Sequence, residues 1–157
     1  MCQHNCMATD VHTDAPHLVS VGYEGRTVAE LIDSLRTHRV RVLVDVRLTP
    51  LSRKKGLSKT ALSQALEDAG IRYVHYRHLG NPKDNREKFR QGSTASRQRY
   101  REILNAGPAA DALRHVSELL DYGVVALLCF ERDHSQCHRG VVADVLREQR
   151  DLVLVDA

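Results

Sequence analysis

The sequence predicts a single α/β domain of three layers, in which helices cover both faces of a mostly parallel sheet of about five strands. Short apolar runs alternate with segments of helical periodicity along most of the chain. Strands separated by helices pair in parallel because each connection crosses over the sheet. The chain has 157 residues, 42% hydrophobic and 27% charged, which fits one globular domain and excludes a collagen, a coiled coil or wholesale disorder.

The strands are predicted from short apolar runs. The run at 40–46 is nearly continuous, as expected for a strand buried on both faces, whereas the run at 71–76 alternates with polar residues. All five predicted strands show one of these two patterns, and they cover residues 18–22, 40–46, 71–76, 124–130 and 152–155.

Helices are predicted between these strands. Thr27 and Glu30 form a capping box at the start of the first helix. Ser58 can cap the second helix, and Pro108 suits the first turn of a long helix before the fourth strand. The polar, basic stretch 81–107 predicts at least one helix, around 95–104, with a loop before it.

Residues 1–17 lack periodicity and are predicted to form a flexible leader, so the domain spans 18–157. Cys2, His4 and Cys6 could contribute zinc ligands, with Cys129 and Cys137 as partners. A structural zinc site usually has four ligands in recognisable pairs, so we favour a disordered extension and assign no metal ligand.

The composition also bears on location and partners. The leader resembles no secretory signal, no apolar run approaches the ~20 residues of a membrane span, and four cysteines without a signal favour the reducing cytosol. Aromatic residues are only 4% of the chain, which disfavours binding through many stacked bases.

Positive charge is concentrated in two segments of the chain. Residues 47–59 and residues 83–101 each carry a net charge of +5, while the remainder carries −7. Such segments indicate either an electrostatic footprint for the phosphates of a nucleotide or nucleic acid, or two solvated faces that keep the protein soluble.

Polar segments follow four of the predicted strands. Ligands of parallel sheets bind in the crevice beyond the carboxyl ends of the strands, so these four strand tips are expected to converge on one site. They are residues 22–26, 45–55, 77–82 and 129–139.

Asp45 interrupts an apolar strand, where burial of a carboxylate costs free energy unless the charge is paired. Arg47 lies two residues on and points to the same side of a strand. The two residues are interpreted either as an ion pair that holds the following loop, or as an acid–base carboxylate beside a phosphate-binding arginine.

The segment 129–139 is the most informative stretch. Arg139 and the start of a helix make a natural anion site, and a thiol held there becomes nucleophilic. The spacing from Cys129 or Cys137 to Arg139 does not fit phosphatase or sulfurtransferase loops. Packing is therefore favoured for Cys129, while packing and chemistry stay open for Cys137 beside His138.

The remaining candidates are one carboxylate and several binding residues. Glu131 is either a general acid or base or the partner of Arg139 or His138. Arg97 and Arg101 share one face of a predicted helix. This face is interpreted either as a contact for phosphate or as a surface exposed to solvent. The predicted site thus has Asp45, Glu131, Cys137 and His138 as catalytic residues, and its binding residues are Gly22, Arg47, Arg53, Gly80, Arg97, Arg101 and Arg139.

Four motifs together resemble a widespread bacterial and archaeal family known as domain of unknown function 488. They are GYEGR, LVDVRLTPLSRKKGLSKTAL, IRYVHYRHLGNP and VALLCFERDHSQCHRGVVADVL. The resemblance spans about residues 18–155 and implies a small α/β domain. It does not identify a reaction, because the activity of the family is generally unassigned. The motif positions are Gly22, Asp45, Arg47, Pro50, Ser52, Arg53, Gly80, Cys129, Glu131, Cys137, His138 and Arg139. The leader and the pair Tyr23-Glu24 depart from the family pattern.

Two functions follow as expectations. The first is an enzyme acting on a phosphate-bearing substrate, a nucleotide or nucleic acid, in the crevice at the carboxyl ends of the strands. The alternative is a non-catalytic module that binds nucleic acid or protein through residues 83–101. A redox role for Cys129 and Cys137 ranks last because their spacing is not C-x-x-C, and no cofactor is assigned.

Overall fold

The computed structural model describes residues 15–157, so Cys2, His4 and Cys6 and most of the predicted leader lie outside the described residues. The five strands are β1 (His17–Gly22), β2 (Val40–Asp45), β3 (Arg72–His75), β4 (Val124–Cys129) and β5 (Val153–Asp156). The six helices are α1 (Val28–Thr37), α2 (Lys59–Asp68), α3 (Lys83–Arg90), α4 (Thr94–Leu104), α5 (Gly107–Leu119) and α6 (His138–Gln149), with short 3-10 turns at Arg77–Leu79 and His134–Gln136.

The strands form one fully parallel sheet in the order β3-β2-β4-β1-β5. The most apolar strand, β4, lies in the centre between β1 and β2. In its register Gly22 pairs with Cys129, and Asp45 pairs with Leu128. The carboxyl ends of β1, β2 and β4 therefore finish at the same level of one sheet edge.

Helices cover both faces of the sheet, which confirms the predicted three-layer α/β fold. Helices α1 and α2 pack on one face through leucines that include Leu31 and Leu62. Helices α3 to α6 pack on the other face through Phe89, Leu113, Val142 and their neighbours. The two faces receive alternate residues of each strand because successive side chains point to opposite sides.

The connections place a crevice at the carboxyl end of β4. The chain leaves β4 toward the α3–α6 face, whereas it leaves both neighbouring strands, β1 and β2, toward the α1–α2 face. Adjacent strands whose connections diverge in this way leave an opening between their tips, and this is where parallel sheets bind ligands.

The capping box predicted at the start of α1 is present. The Thr27 hydroxyl accepts from the Glu30 backbone N–H, and the Glu30 carboxylate accepts from the Thr27 backbone N–H. Ser58 precedes α2 as predicted, but its hydroxyl bonds to the backbone of Ser52 and not to the helix. Ser58 therefore ties together the loop that follows β2.

Residues 83–90, predicted as a loop, form the helix α3. Its charged sequence buries only Asn85 and Phe89, so it lacks the apolar periodicity from which a helix is recognised. Asn85 donates to the Asn81 side chain and to the Ser96 carbonyl, and these tertiary contacts hold α3 against α4.

None of the helices within residues 15–157 combines the length and the apolar character needed to cross a membrane.

Candidate functional site

A cavity of about 170 Å³ opens at the carboxyl end of β4. It is lined from all four strand tips, as the polar segments predicted, and by one face of α3. Its wall residues are Tyr23, Arg47, Leu48, Thr49, Leu51, Asn81, Arg86, Phe89, Arg90, Cys129, Phe130, Glu131, Gln136 and His138.

Asp45 and Arg47 form a buried ion pair beside this cavity. The Arg47 Nε and Nη2 atoms donate to the two carboxylate oxygens of Asp45, over 2.9 and 2.7 Å. The Arg47 backbone N–H and the Tyr73 hydroxyl, the latter at 2.5 Å, also donate to Asp45. The alternation of the strand predicted this shared side correctly.

The environment keeps Arg47 charged and Tyr73 protonated. Burial by itself lowers the pKa of Arg47, but the hydrogen bonds and charge of Asp45 outweigh it and hold that pKa above its usual value. Burial and the Asp45 charge raise the pKa of Tyr73, so its hydroxyl stays protonated and remains a donor.

These contacts favour the structural role that the sequence left open for Asp45. Both of its oxygens accept two hydrogen bonds, its side chain is fully buried, and it is absent from the cavity wall. Arg47 meanwhile donates to the Leu57 carbonyl over 2.7 Å. The pair therefore anchors the loop after β2, and the catalytic role of Asp45 stays a prediction.

Cys129 and Cys137 meet beneath the cavity. Their sulfur atoms lie within disulfide distance of each other, although the residues are eight positions apart. Cys129 points to the α6 side of the sheet, and Cys137 immediately precedes α6. The C-x₇-C spacing had argued against such a pair, but the loop folds back through the 3-10 turn at His134–Gln136.

The ring of His138 is held in one orientation beside these sulfurs. Its Nε2 donates to the Val46 carbonyl over 2.8 Å, and its Nδ1 lies 3.7 Å from the Cys137 sulfur. The ring also makes an edge contact with Tyr100. Because a carbonyl can only accept, Nε2 carries the proton and Nδ1 presents a lone pair toward the Cys137 sulfur. Burial lowers the pKa of His138 and favours this neutral form.

Arg139 is fully buried and organises the loop between β4 and α6. It donates through Nη1 to the Cys129 sulfur over 2.8 Å and to the Glu131 carbonyl, and through Nη2 to the Arg132 carbonyl. Its Nε donates to the Ser20 hydroxyl. Arg139 is thus occupied inside the protein and does not line the cavity, so its predicted anion contact finds no support in this geometry.

Glu131 carries the carboxylate of the cavity. One oxygen accepts from Arg90 of α3 over 3.1 Å, and the other lies 3.5 Å from the Cys129 sulfur. The Glu131 side chain is 20% exposed and that of Arg90 is 59% exposed. Glu131 therefore lies between the buried Cys129 sulfur and the exposed Arg90 guanidinium.

Gly22 and Gly80 allow neighbouring loops to approach closely. A Cβ at Gly22 would lie 2.6 Å from the Glu131 carbonyl carbon, and one at Gly80 would lie 2.6 Å from the Leu48 backbone nitrogen. Both glycines are buried. They shape the site by position, since neither is among the residues of the cavity wall.

The other predicted binding residues lie outside the cavity. Arg53 is exposed on the loop after β2. Arg97 stacks over the Phe89 ring and donates to the Ser135 carbonyl, and Arg101 pairs with Glu148 over 2.8 Å. Arg97 and Arg101 therefore tie α4 to its neighbours.

Arg86 and Arg90 are the binding candidates that sequence reasoning did not single out. They lie four residues apart on α3, so they share the helical face that lines the cavity. Arg86 also donates to the Asn81 carbonyl at the tip of β3. Their i,i+4 spacing was a usable signal, but it was hidden because the segment was interpreted as a loop.

A family model described as "Domain of unknown function DUF488" matches residues 27–146. This range covers the helix after β1, the tips of β2, β3 and β4, and most of α6, including Glu131, Cys137 and His138. No curated protein and no solved structure shows a significant match to the chain.

Proposed function

The chain belongs to the DUF488 family, and we propose that it is an enzyme acting on a phosphate-bearing substrate, a nucleotide or nucleic acid. The observation that carries this proposal is the composition of the cavity. A carboxylate, the Cys129 sulfur and an oriented imidazole line the cavity together with two arginines of a basic segment, and the Cys137 sulfur lies next to Cys129 and the imidazole.

The mouth of the cavity supplies groups suited to phosphate. Arg86 and Arg90 project from the segment 83–101, whose net charge is +5. Guanidinium groups bind phosphate oxygens through paired donors. Their position puts a bound phosphate above Glu131, since Arg90 already contacts that carboxylate.

Two further residues of the cavity wall supply an aromatic surface. Tyr23 and Phe130 make an edge contact with ring centroids 5.4 Å apart, and Phe130 is 46% exposed. A single base or another flat group can stack on such a ring, which is compatible with the low aromatic content of the chain. Phosphate contacts then fix the position of the substrate, and one wall contacts its base.

We assign the acid–base role to Glu131. It is the carboxylate of the cavity wall, whereas Asp45 is enclosed by its own partners. A positioned carboxylate transfers a proton to or from the reacting group. Glycosidic-bond cleavage and phosphoester chemistry both need such a group, so the proposal includes both reactions. We propose that the reaction takes place in the cytosol.

Binding is tested by fluorescence polarisation with short single-stranded and duplex DNA and RNA across a salt series. The variant Arg86→Gln/Arg90→Gln should bind single strands more weakly, with a slope of log K against log salt smaller by about 1.4, because each single-strand phosphate contact contributes about 0.7. The control Arg41→Gln/Arg114→Gln removes the same charge from exposed sites elsewhere.

The control variant should keep the parental slope. Equal losses in both double variants would show that net charge alone attracts the oligonucleotide. Flat salt curves for the parent protein would remove nucleic acid as a substrate, and titrations with free nucleoside monophosphates would then test the smaller substrate class.

Catalysis is tested by following strand cleavage and base release from each oligonucleotide that binds. Glu131→Gln should lower the rate about 10²–10⁴-fold while keeping the parental affinity within a few-fold. The exposed Glu102 provides a control as Glu102→Gln, which should leave both quantities unchanged. An active Glu131→Gln variant would contradict the assignment.

The alternative function is a nucleic-acid-binding or protein-binding module that uses residues 83–101. It is favoured by the exposed Lys83 and Lys88, which extend the basic face beyond the cavity. It predicts salt-dependent binding without turnover, and a loss of affinity in Lys83→Gln/Lys88→Gln as large as that in Arg86→Gln/Arg90→Gln. A much larger loss for the arginine pair would favour the cavity.

A further inference from the structure

From the side chains beneath the cavity we infer a zinc site whose protein ligands are the Cys129 and Cys137 sulfurs and the His138 Nδ1 atom. These three ligand atoms all lie within 4.8 Å of one another. Two thiolates and one imidazole form a borderline-soft donor set that suits Zn²⁺. The site does not depend on the proposed substrate.

The spacing of the ligand atoms agrees with coordination of one ion. In a tetrahedral site with Zn–S bonds of about 2.3 Å and Zn–N bonds of about 2.0 Å, sulfur and nitrogen lie about 3.6 Å apart. The Cys137 sulfur and the His138 Nδ1 are 3.7 Å apart. The backbone turns between the extended Cys137 and the first residue of α6, which brings these neighbouring side chains together.

The backbone separation of the two cysteines also leaves room for a shared ion. Their Cα atoms are 7.3 Å apart, whereas disulfides usually hold Cα atoms about 4.4–6.8 Å apart. Two sulfurs on one zinc ion lie about 3.8 Å apart. In the reduced protein, rotation of the cysteine side chains can therefore open this distance without moving the sheet.

His138 has the orientation that metal-binding histidines require. Its Nε2 proton is donated to the Val46 carbonyl, which fixes the tautomer and leaves Nδ1 free for an ion. Metal-ligating histidines almost always donate their second nitrogen in this way.

Arg139 supplies the charge that a thiolate needs. It is fully buried, and within residues 15–157 it forms no ion pair with a carboxylate. A buried cation is costly without a compensating charge. Its Nη1 atom lies 2.8 Å from the Cys129 sulfur, so the negative charge of a zinc–thiolate bond would lie directly beside this cation.

Three protein ligands leave the fourth position of a tetrahedral ion open. Cys129 and His138 both line the cavity, and Glu131 lies beside them. The open position therefore faces the cavity, as in zinc sites that keep a place for water or substrate.

The test is zinc titration of the reduced, metal-free full-length chain against a chromophoric chelator, with Co²⁺ as a spectroscopic substitute. We expect one zinc ion per chain and thiolate-to-cobalt charge-transfer absorption. Cys129→Ser, Cys137→Ser and His138→Gln should each weaken zinc binding by more than the 10–100-fold typical of outer-shell changes.

Matched controls separate this site from other thiols and histidines. Cys2→Ser/Cys6→Ser removes the cysteines near the N-terminus, and His78→Gln removes an exposed histidine. Both variants should keep the parental affinity. His138→Cys should retain zinc and add charge-transfer intensity, which keeps the test decisive if His138→Gln misfolds.

Three results would overturn the inference. They are a reduced chain that binds no zinc, an affinity unchanged in Cys129→Ser and Cys137→Ser, and loss of the ion in Cys2→Ser/Cys6→Ser. Zinc binding by the parent with loss in the three site variants would support it, whatever the outcome of the oligonucleotide assays.

Discussion

Asp45 and Arg139 are both fully buried charged side chains, and the fold compensates them differently. Asp45 is paired with Arg47 through two parallel hydrogen bonds, the arrangement that carboxylate and guanidinium favour. Arg139 donates to carbonyls, a hydroxyl and the Cys129 sulfur. The first charge anchors a loop, and the second holds the Cys129 sulfur in a polar setting.

Replacement of Asp45 by Asn should lower the free energy of unfolding by about 3–5 kcal/mol, because it leaves Arg47 buried without its charge partner. Urea denaturation measures this change. The control Asp84→Asn breaks the exposed pair with Arg99 and should cost less than about 1 kcal/mol. A stable Asp45→Asn variant that has lost activity would instead favour the catalytic role.

Among the elements, α3 decides what the cavity can bind. It carries Arg86 and Arg90 to the cavity, yet its only large buried apolar side chain is Phe89, which packs edge-on against Tyr100. Propensity alone does not hold so short a helix. Tertiary contacts at Phe89 and Asn85 therefore determine the position of both arginines.

Truncation of this anchor as Phe89→Ala should destabilise the protein by about 3–5 kcal/mol. Hydrogen exchange of residues 83–90 should rise more than that of the sheet, since α3 loses its main packing contact. The control Leu51→Ala replaces a side chain that is 74% exposed. It should change the free energy of unfolding by no more than about 0.5 kcal/mol. Uniformly faster exchange over the whole chain would show that α3 does not open independently.

At the scale of the whole molecule, the parallel sheet brings distant segments to one edge. Four strand tips, the first and last of which are more than a hundred residues apart, line one cavity. The acidic remainder of the chain offsets the basic segments and leaves a net charge of only +3. The charge of each basic segment is thus balanced only by acidic residues elsewhere in the chain.

The inferred zinc site joins β4 to α6, so zinc should stabilise the entire domain. At a free zinc concentration of 100 times Kd, the gain is about 2.7 kcal/mol, which raises Tm by about 5–10 °C for a chain of this size. Thermal unfolding with zinc and after chelation measures the shift. A Cys137→Ser variant should show no zinc-dependent shift, and a shift of parental size would contradict the site.

The α/β fold, the five strands and the shared side of Asp45 and Arg47 were determined by the sequence itself. Apolar runs and helical periodicity are local patterns, and side chains two positions apart on a strand must share a side. Crossover connections then make the sheet parallel, so the convergence of the strand tips also follows from the order of elements alone.

Only the tertiary structure decided the placement of α3 and the meeting of Cys129, Cys137 and His138. The helix α3 is held by contacts with distant residues, and no local periodicity encodes such contacts. The two cysteines meet because the loop between β4 and α6 folds back around the buried Arg139. That path depends on hydrogen bonds to neighbouring strands, which spacing along the chain does not express.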